Sequence, residues 1–552
     1  MPVLPATASD PAHDLAHQRR WWTLSVLCLS LLIVFVGNSS LNVTLPTLSR
    51  DLHATESQLQ WIVAIYSLVF AGLLFSTGAI GDRFGRKGAL QFGLLLFLFG
   101  AGLASLSTAM WQLIACRAVM GAAGAFIMPS TLSIIINVFE PHERPKAIAI
   151  WASITGASGA FGPVASGLLL GHFWYGSVFL INVPIIVLAL VSGHFLVPKS
   201  RDPQQASFDP GGSVLSIIGI VALVYGLIEA PSHGWASAST LGAFAVAVVV
   251  LGIFVAWELR VAEPMVDMHY FRNPAFSTGT GGMILVFASM YGVMFLITQY
   301  FQLVLNYSAL SAALRLMPIA LIMLVVAPMT PRLCVRFGAH RVVTFGMLCI
   351  GTAFLMFTLL TTHTPYALVV VCVIPLTAGI ALSMSPMTAS IMGAVPPRRA
   401  GAGSAMNDAS RELGAALGVA ILGSVAASRY SSQIGHLVTK LSPHNRTTAR
   451  TSIAGALQVA GKLHGAANTA LTNGAHTSFV GGLHLAVLVG SALSFVAAGI
   501  VYRYLPHSLA PEGAMHGPLE AFEEAAEMGL GGVPPVFSDE VEGLVENAEQ
   551  PA

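Results

Sequence analysis

The chain has 552 residues, of which 55% are apolar and only 9% charged, with a formal net charge of +1 and a mean hydropathy of +0.75. Soluble proteins carry about 25% charged residues, so this chain cannot present a normal solvated surface. The near-zero net charge gives no reason to expect nucleic acid as a partner.

Apolar runs of about 20 residues recur along most of the sequence, the length an α-helix needs to cross a bilayer. Alternating ten-residue strands of a membrane barrel are missing. The spans are expected at 23–45, 58–80, 89–107, 110–137, 146–170, 176–197, 212–230, 236–259, 277–304, 311–330, 341–362, 365–393, 405–427 and 478–503. The first is longer than a signal peptide's apolar core, and Trp21 and Trp22 anchor its start at the interface. Fourteen spans place both termini on one side. With that side cytoplasmic, seventeen of the 26 Lys and Arg residues fall on inside segments, and short outside loops carry only Arg50, as the positive-inside rule requires. The loop 428–477 is expected outside, with room for a short amphipathic helix. The tail after Arg503 has ten acidic residues and no Lys or Arg, a composition expected to be disordered and cytoplasmic.

Between spans two and three the sequence reads Gly78-Ala-Ile-Gly-Asp82-Arg83-Phe-Gly85-Arg86-Lys87. A positive-inside loop accounts for the basic residues but not for Asp82 at the membrane edge or the glycines around it. Gly78 admits a neighbouring helix, Gly85 permits a tight reversal, and Asp82 can cap a helix or pair with a cation from another helix. Span four contains Arg117, costly in hydrocarbon and therefore a functional candidate; a snorkelling, structural arginine is the other reading. In span five, Gly159, Pro163, Gly167 and Gly171 recur every fourth residue along one face, a stripe suited to close packing, with a proline that allows a kink.

Intramembrane carboxylates are few. Glu229, Glu258, Asp408 and Glu412 lie in or at the edge of spans. Glu258, next to Arg260, reads as a wetted surface position. Asp408 and Glu412 stack on one helix face beside Arg411. They either pair, take up protons part of the time, or sit wetted at the mouth of span thirteen. Asn38, Asn42, Gln299, Tyr300 and Gln302 are polar within apolar runs. They are candidates to line a central cavity, or to serve as packing hydrogen bonds.

The Gly78–Lys87 string resembles the signature loop of the major facilitator superfamily, with a faded copy at Pro331–Arg341 that fits repeated halves. The text around Arg117 is similar to that superfamily's span-four motif, where the matching arginine is linked to proton movement. Gly159, Gly162, Pro163 and Gly167 resemble the antiporter motif of its exporters, with Ser166 in place of a usual glycine. The run Asn407–Gly423 resembles span thirteen of the fourteen-span EmrB/QacA-type drug:proton antiporters. Tyr225–Glu229 with Gly234-Trp235 is similar to their inserted spans. One departure is Gly37, where that family often carries an acid tied to proton coupling or cationic-drug binding; its absence shifts the expected substrates toward neutral, zwitterionic or anionic ones.

The resemblance implies an all-α polytopic membrane protein with the major facilitator fold: two six-helix halves plus two extra central helices, fourteen transmembrane helices in all. The expected division is a cytoplasmic N-terminus (1–22), an N-terminal half (23–197), two inserted helices with linkers (198–276), a C-terminal half (277–503) and the tail (504–552). The implied activity is proton-coupled efflux of drugs or antibiotics across the cytoplasmic membrane by alternating access. Arg117, Asp408 and Glu412 would couple protons, and Gly78, Asp82, Arg83, Gly85, Arg86 and Lys87 would form the gating loop. Export of an endogenous metabolite, siderophore or lipid is the alternative, and a non-transporting scaffold or receptor the more distant one. An enzyme is not expected, since no nucleophile–base pair, metal-ligand cluster or phosphate-binding loop appears. No cofactor is expected; the partners are a small-molecule substrate, protons and lipid, and the protein is expected to be monomeric.

Overall fold

The computed structural model describes residues 19–140, 143–201, 209–262, 264–396 and 400–506. Arg398, Arg399 and the acidic tail beyond 506 lie outside the described residues, as does the N-terminus before Arg19. Among the described residues there is no strand.

The first helices are α1 (Arg20–Asp51), α2 (Glu56–Phe84), α3 (Arg86–Leu106), α4 (Met110–Val138) and α5 (Arg144–His172). They are followed by α6 (Ser177–Leu196), α7 (Pro210–His233) and α8 (Ala238–Glu258). Next come α9 (Pro274–Val304) and α10 (Ala309–Phe337), then α11 (Ala339–Phe357), α12 (Tyr366–Gly393) and α13 (Ala400–Leu437). Two short helices, α14 (Pro443–Thr451) and α15 (Ile453–Gly461), precede α16 (Ala466–Tyr504). Among the described residues, thirteen helices are long and apolar enough to cross a membrane. The 29-residue α5 stands where the fifth of the fourteen expected spans was placed and is not among those thirteen.

The loop expected at 428–477 is largely helical. Helix α13 runs on to Leu437, α16 already starts at Ala466, and α14 and α15 fill the space between. Tyr430 holds this cap together, its hydroxyl donating to the carbonyls of Ala449 (2.9 Å) and Ser452 (3.2 Å).

Helices α1–α6 pack among themselves, as do α9–α13 with α16. The two groups meet along α2 against α13 and α5 against α10, while α7 lies against both α2 and α13 with α8 behind it. Within each group, missing side chains set the helix spacing. Gly121 of α4 lies against the Tyr66 backbone of α2, and Gly414 and Gly418 of α13 lie against the Ile284 and Ala288 backbone of α9. Helices in lipid gain no hydrophobic term from each other and depend on such close contact. The outward surface is apolar; on α8, Val248 and Val249 are 73% and 59% exposed. The face carrying Arg20 and the α2–α3 turn is called the near face here, and the face carrying the α1–α2 turn the far face.

Candidate functional site

At the near face, Gly85 alone separates α2 from α3, and its φ of +125° is one that side-chain-bearing residues rarely adopt. The reversal brings Asp82, in the last turn of α2, onto Arg86 at the start of α3, with Nε to Oδ1 at 2.6 Å. Arg86 also donates to the Ser133 carbonyl of α4 (3.4 Å), and its backbone N–H to the Ser200 carbonyl (3.0 Å). Lys87 Nζ donates to the His194 carbonyl of α6 (2.6 Å). Arg83 stays exposed against its neighbour Phe84, and Gly78 faces the Pro129 ring at 3.6 Å. The loop thus clamps α2, α3, α4 and the α6 exit of one helix group to each other.

Deeper in the membrane, Arg117 is fully buried. Its Nε donates to the Ile62 carbonyl (3.1 Å), one terminal nitrogen to the Gly37 carbonyl (3.2 Å) and the other to Asn38 Oδ1 (3.0 Å). The guanidinium plane lies 4.2 Å from the centre of the Tyr66 ring, a cation–π contact. Every direct partner is neutral. The carbonyl it uses belongs to Gly37, and a side chain there would point away from the guanidinium's hydrogen bonds, onto Phe97 at 3.1 Å and Met120 at 3.7 Å.

Asn38 continues the line, its amide donating to the Tyr291 hydroxyl of α9 at 3.5 Å. Tyr291 stacks on Phe287 with ring centres 6.3 Å apart, Arg411 of α13 covers the other part of Phe287 at 4.9 Å, and Arg411 reaches Asp408 at 3.5 Å. Glu412 is placed against Ser67 of α2, within electrostatic reach of Arg117, Tyr66 and Tyr291, and its Oε2 is buried without a hydrogen-bond partner. Because α13 starts at Ala400, Glu412 sits about 18 Å along it at 1.5 Å per residue. It is therefore not at the mouth of its helix, while Asp408, bonded through Arg411 and next to Asn407, lies a turn closer. A polar path therefore crosses between the two helix groups from Arg117 to Asp408.

On the far side of this path the groups are tied directly. Gln302 Nε2 donates to the Val43 carbonyl (2.9 Å), Gln299 Nε2 to Glu56 (3.1 Å) and Ser424 to Gln60 (3.1 Å). Gln458 lies 3.2 Å from His53. Among the described residues, hydrogen bonds joining α1–α6 to α9–α16 lie at or beyond the depth of Asn38, toward the far face. Gln299 and Gln302 thus tie one helix group to the other on this side. Tyr300 turns instead to the α11–α12 connection, donating to Thr361 at 2.5 Å. Asn42, one turn beyond Asn38, is buried with its Oδ1 unpartnered.

The span-five stripe divides. Gly162 is buried against Ser39 and Ser40 of α1, whose Oγ atoms reach the Ser158 carbonyl (3.0 Å) and the Gly162 carbonyl (3.1 Å). Gly167 lies on the backbone of Leu310 in α10, whereas Gly159 and Gly171 face open space. Pro163, between them, lacks the N–H that would close on the Gly159 carbonyl. Sequence reasoning missed Glu56, Tyr66, Ser67 and Tyr291. Glu56 and the two tyrosines carried a signal, being polar in or beside apolar runs. It also misread Glu258, which is 3% exposed because residues after α8 fold back over it.

Two helical groups that meet at a seam closed on one face, with a charged path buried between them, define a membrane carrier. The sequence profile of the Major Facilitator Superfamily matches residues 27–419, and the chain belongs to that superfamily: it is a multi-pass secondary transporter, not an enzyme. It is similar to the multidrug efflux pump LfrA of Mycolicibacterium smegmatis, 34% identical over 498 residues, 90% of this chain and 97% of that one. It is also similar to the tetracenomycin C resistance and export protein of Streptomyces glaucescens, 31% identical over 92% of this chain and 96% of that one. The methyl viologen resistance protein SmvA of Salmonella typhimurium is 33% identical, over 87% and 98% respectively. In fold it matches a bacterial homologue of the human lysosomal transporter Spinster in an inward-facing, unoccupied conformation. That match has a TM-score of 0.61 and 17% identity, covering 90% of this chain and 99% of that one. Among the described residues no group of three or more His, Cys, Asp or Glu is placed to hold a metal ion.

Proposed function

We propose that the protein exports drugs or antibiotics across the cytoplasmic membrane in exchange for protons, working as a monomer by alternating access. The near face, rich in Arg and Lys, is the cytoplasmic side, so both termini are cytoplasmic and α5 is the fourteenth crossing. Residues 23–197 and 277–503 are the moving halves, and 198–276 supplies the inserted pair. With far-side bonds joining the halves, the conformation is one open to the cytoplasm. The relatives' printed roles in multidrug, tetracenomycin C and methyl viologen resistance support export of foreign or toxic small molecules.

The observation that carries the coupling is the buried path from Arg117 to Glu412 and Asp408. Arg117 makes its direct contacts with neutral acceptors, so its charge is balanced across the seam by Glu412. A proton on Glu412 removes that balance and weakens the attraction between α13 and the α2–α4 side. Loss of the proton restores it. An ionised carboxylate at this depth is costly unless paired, so Glu412 and Asp408 exchange charge state with the opening of the seam. Gly37 supplies no acid, leaving these two carboxylates to meet a cationic substrate. The α2–α3 clamp then closes the cytoplasmic side when the halves rock.

The test is purified protein in liposomes under an imposed proton gradient, following a cationic dye and an antibiotic. Gradient-driven movement lost in Asp408→Asn and in Glu412→Gln is expected. Transport that ignores the gradient would overturn proton exchange; gradient-driven transport that survives both substitutions would move the coupling site elsewhere.

A further inference from the structure

At the near-face base of the inserted hairpin, two carboxylates meet out of water. Asp209 caps α7, its Oδ1 accepting from the Gly212 N–H at 2.9 Å, and it is 6% exposed. The Trp257 indole N–H, from the end of α8, points at both Asp209 oxygens at 3.1 and 3.0 Å. Glu258, the next residue, is 3% exposed. Its Oε2 accepts from the Val266 N–H at 2.9 Å, but its Oε1 is buried and has no hydrogen-bond partner. That oxygen faces Asp209: a methyl group on Gly212 would press on Glu258 Oε1 and Asp209 Oδ2 together.

Two buried carboxylates side by side cannot both stay ionised. The charges around them offer no relief. Asp209 is the charged group that acts on Glu258 among the described residues, Arg260 is exposed, and Asp267 is engaged with His269 at 2.9 Å. The hairpin meets α2 here through two hydroxyls, Ser213 against Ser76. A hard cation would want six or more oxygens, yet N–H donors already occupy Asp209 Oδ1 and Glu258 Oε2, and the Trp257 indole also faces Asp209 Oδ2.

We infer that Asp209 and Glu258 form a proton-binding site, with one proton held between Glu258 Oε1 and Asp209 Oδ2. The site goes beyond the transport reading above and lies apart from Asp408 and Glu412. Bound, the proton joins the ends of α7 and α8 and holds the hairpin base against α2. Released, it leaves two like charges in contact, and the base opens. Because an unfolded carboxyl releases its proton at about pH 4, the stability this proton contributes is fully present below that pH and lost as pH rises through the folded-state titration.

Infrared spectroscopy in H2O and D2O on the purified full-length protein tests this. At neutral pH, wild type should show a protonated-carboxyl C=O band that is missing in Glu258→Gln and shifted in frequency in Asp209→Asn, where an amide replaces the carboxylate partner. The wild-type unfolding midpoint should fall between about pH 4, where an unfolded carboxyl titrates, and about pH 8, toward which burial moves a carboxyl, by several degrees more than that of Glu258→Gln. Either variant matching wild type in the band overturns the proposal. So does one equivalent of Mn2+ bound by wild type and lost in Glu258→Gln, which would make the site a metal site.

Discussion

Gly167 lies where the two halves touch, and its replacement by alanine gives a sharp test of the seam. The added methyl carbon would stand 2.6 Å from Leu310 Cα, 2.9 Å from Leu310 N and 3.1 Å from the Ala309 carbonyl oxygen. Carbon atoms rest at about 3.5–4.0 Å, so the α5 and α10 backbones must part by about 1 Å at this point. No side chain can swing away to absorb the shift, because the obstructing atoms are main chain. Overpacking of this kind costs about 1–3 kcal/mol, felt only while the far side is closed. The balance between closed and open far sides should therefore move by roughly 5- to 150-fold toward open. The assay is double electron–electron resonance between spin labels at His172 and Leu314 in a background with the five free cysteines replaced. Gly167→Ala should enlarge the long-distance population. Gly171→Ala and Gly159→Ala, on the same helix and facing open space, should not. An unchanged distribution in Gly167→Ala, or an equal shift in Gly171→Ala, would refute the reasoning.

Arg117→Lys keeps the charge but cannot reach three acceptors, two on α1 and one on α2, in a fixed fork. Losing one bond to a charged group costs about 1.5–3 kcal/mol, and transport in liposomes should fall more than about tenfold by the same measure while the protein still reaches the membrane. Gly37→Asp, which introduces the acid that the family resemblance implies at this position, places the carboxylate against Phe97 and Met120. It should lower the unfolding temperature by several degrees and give no gain in cation transport, and a gain would show that the α1 acid works from this position after all.

Periodicity and composition were enough to establish the class and the approximate spans, because a bilayer imposes its length and polarity on every crossing segment independently. Local strings also disclosed the α2–α3 clamp, since Gly85, Asp82 and Arg86 act within a few residues of each other. Most of what lies between segments distant in sequence was not legible. That Asp408 and Glu412 share a face follows from spacing. That Glu412 sits well inside its helix opposite Ser67, and that Arg117 is bound only to neutral acceptors, depends on which helices become neighbours. The every-fourth-residue stripe in α5 is uniform as a sequence, yet only Gly167 meets α10 while Gly159 and Gly171 face open space, and α1 takes Gly162 beside it. Glu258 beside Arg260 reads as a wetted helix end, and only the chain folding back through Val266 and the approach of Asp209 take it out of water. Sequence by itself determined how each segment meets the membrane; the tertiary structure decided how segments meet each other, because burial of a polar group is a property of its neighbours and not of its own residue type.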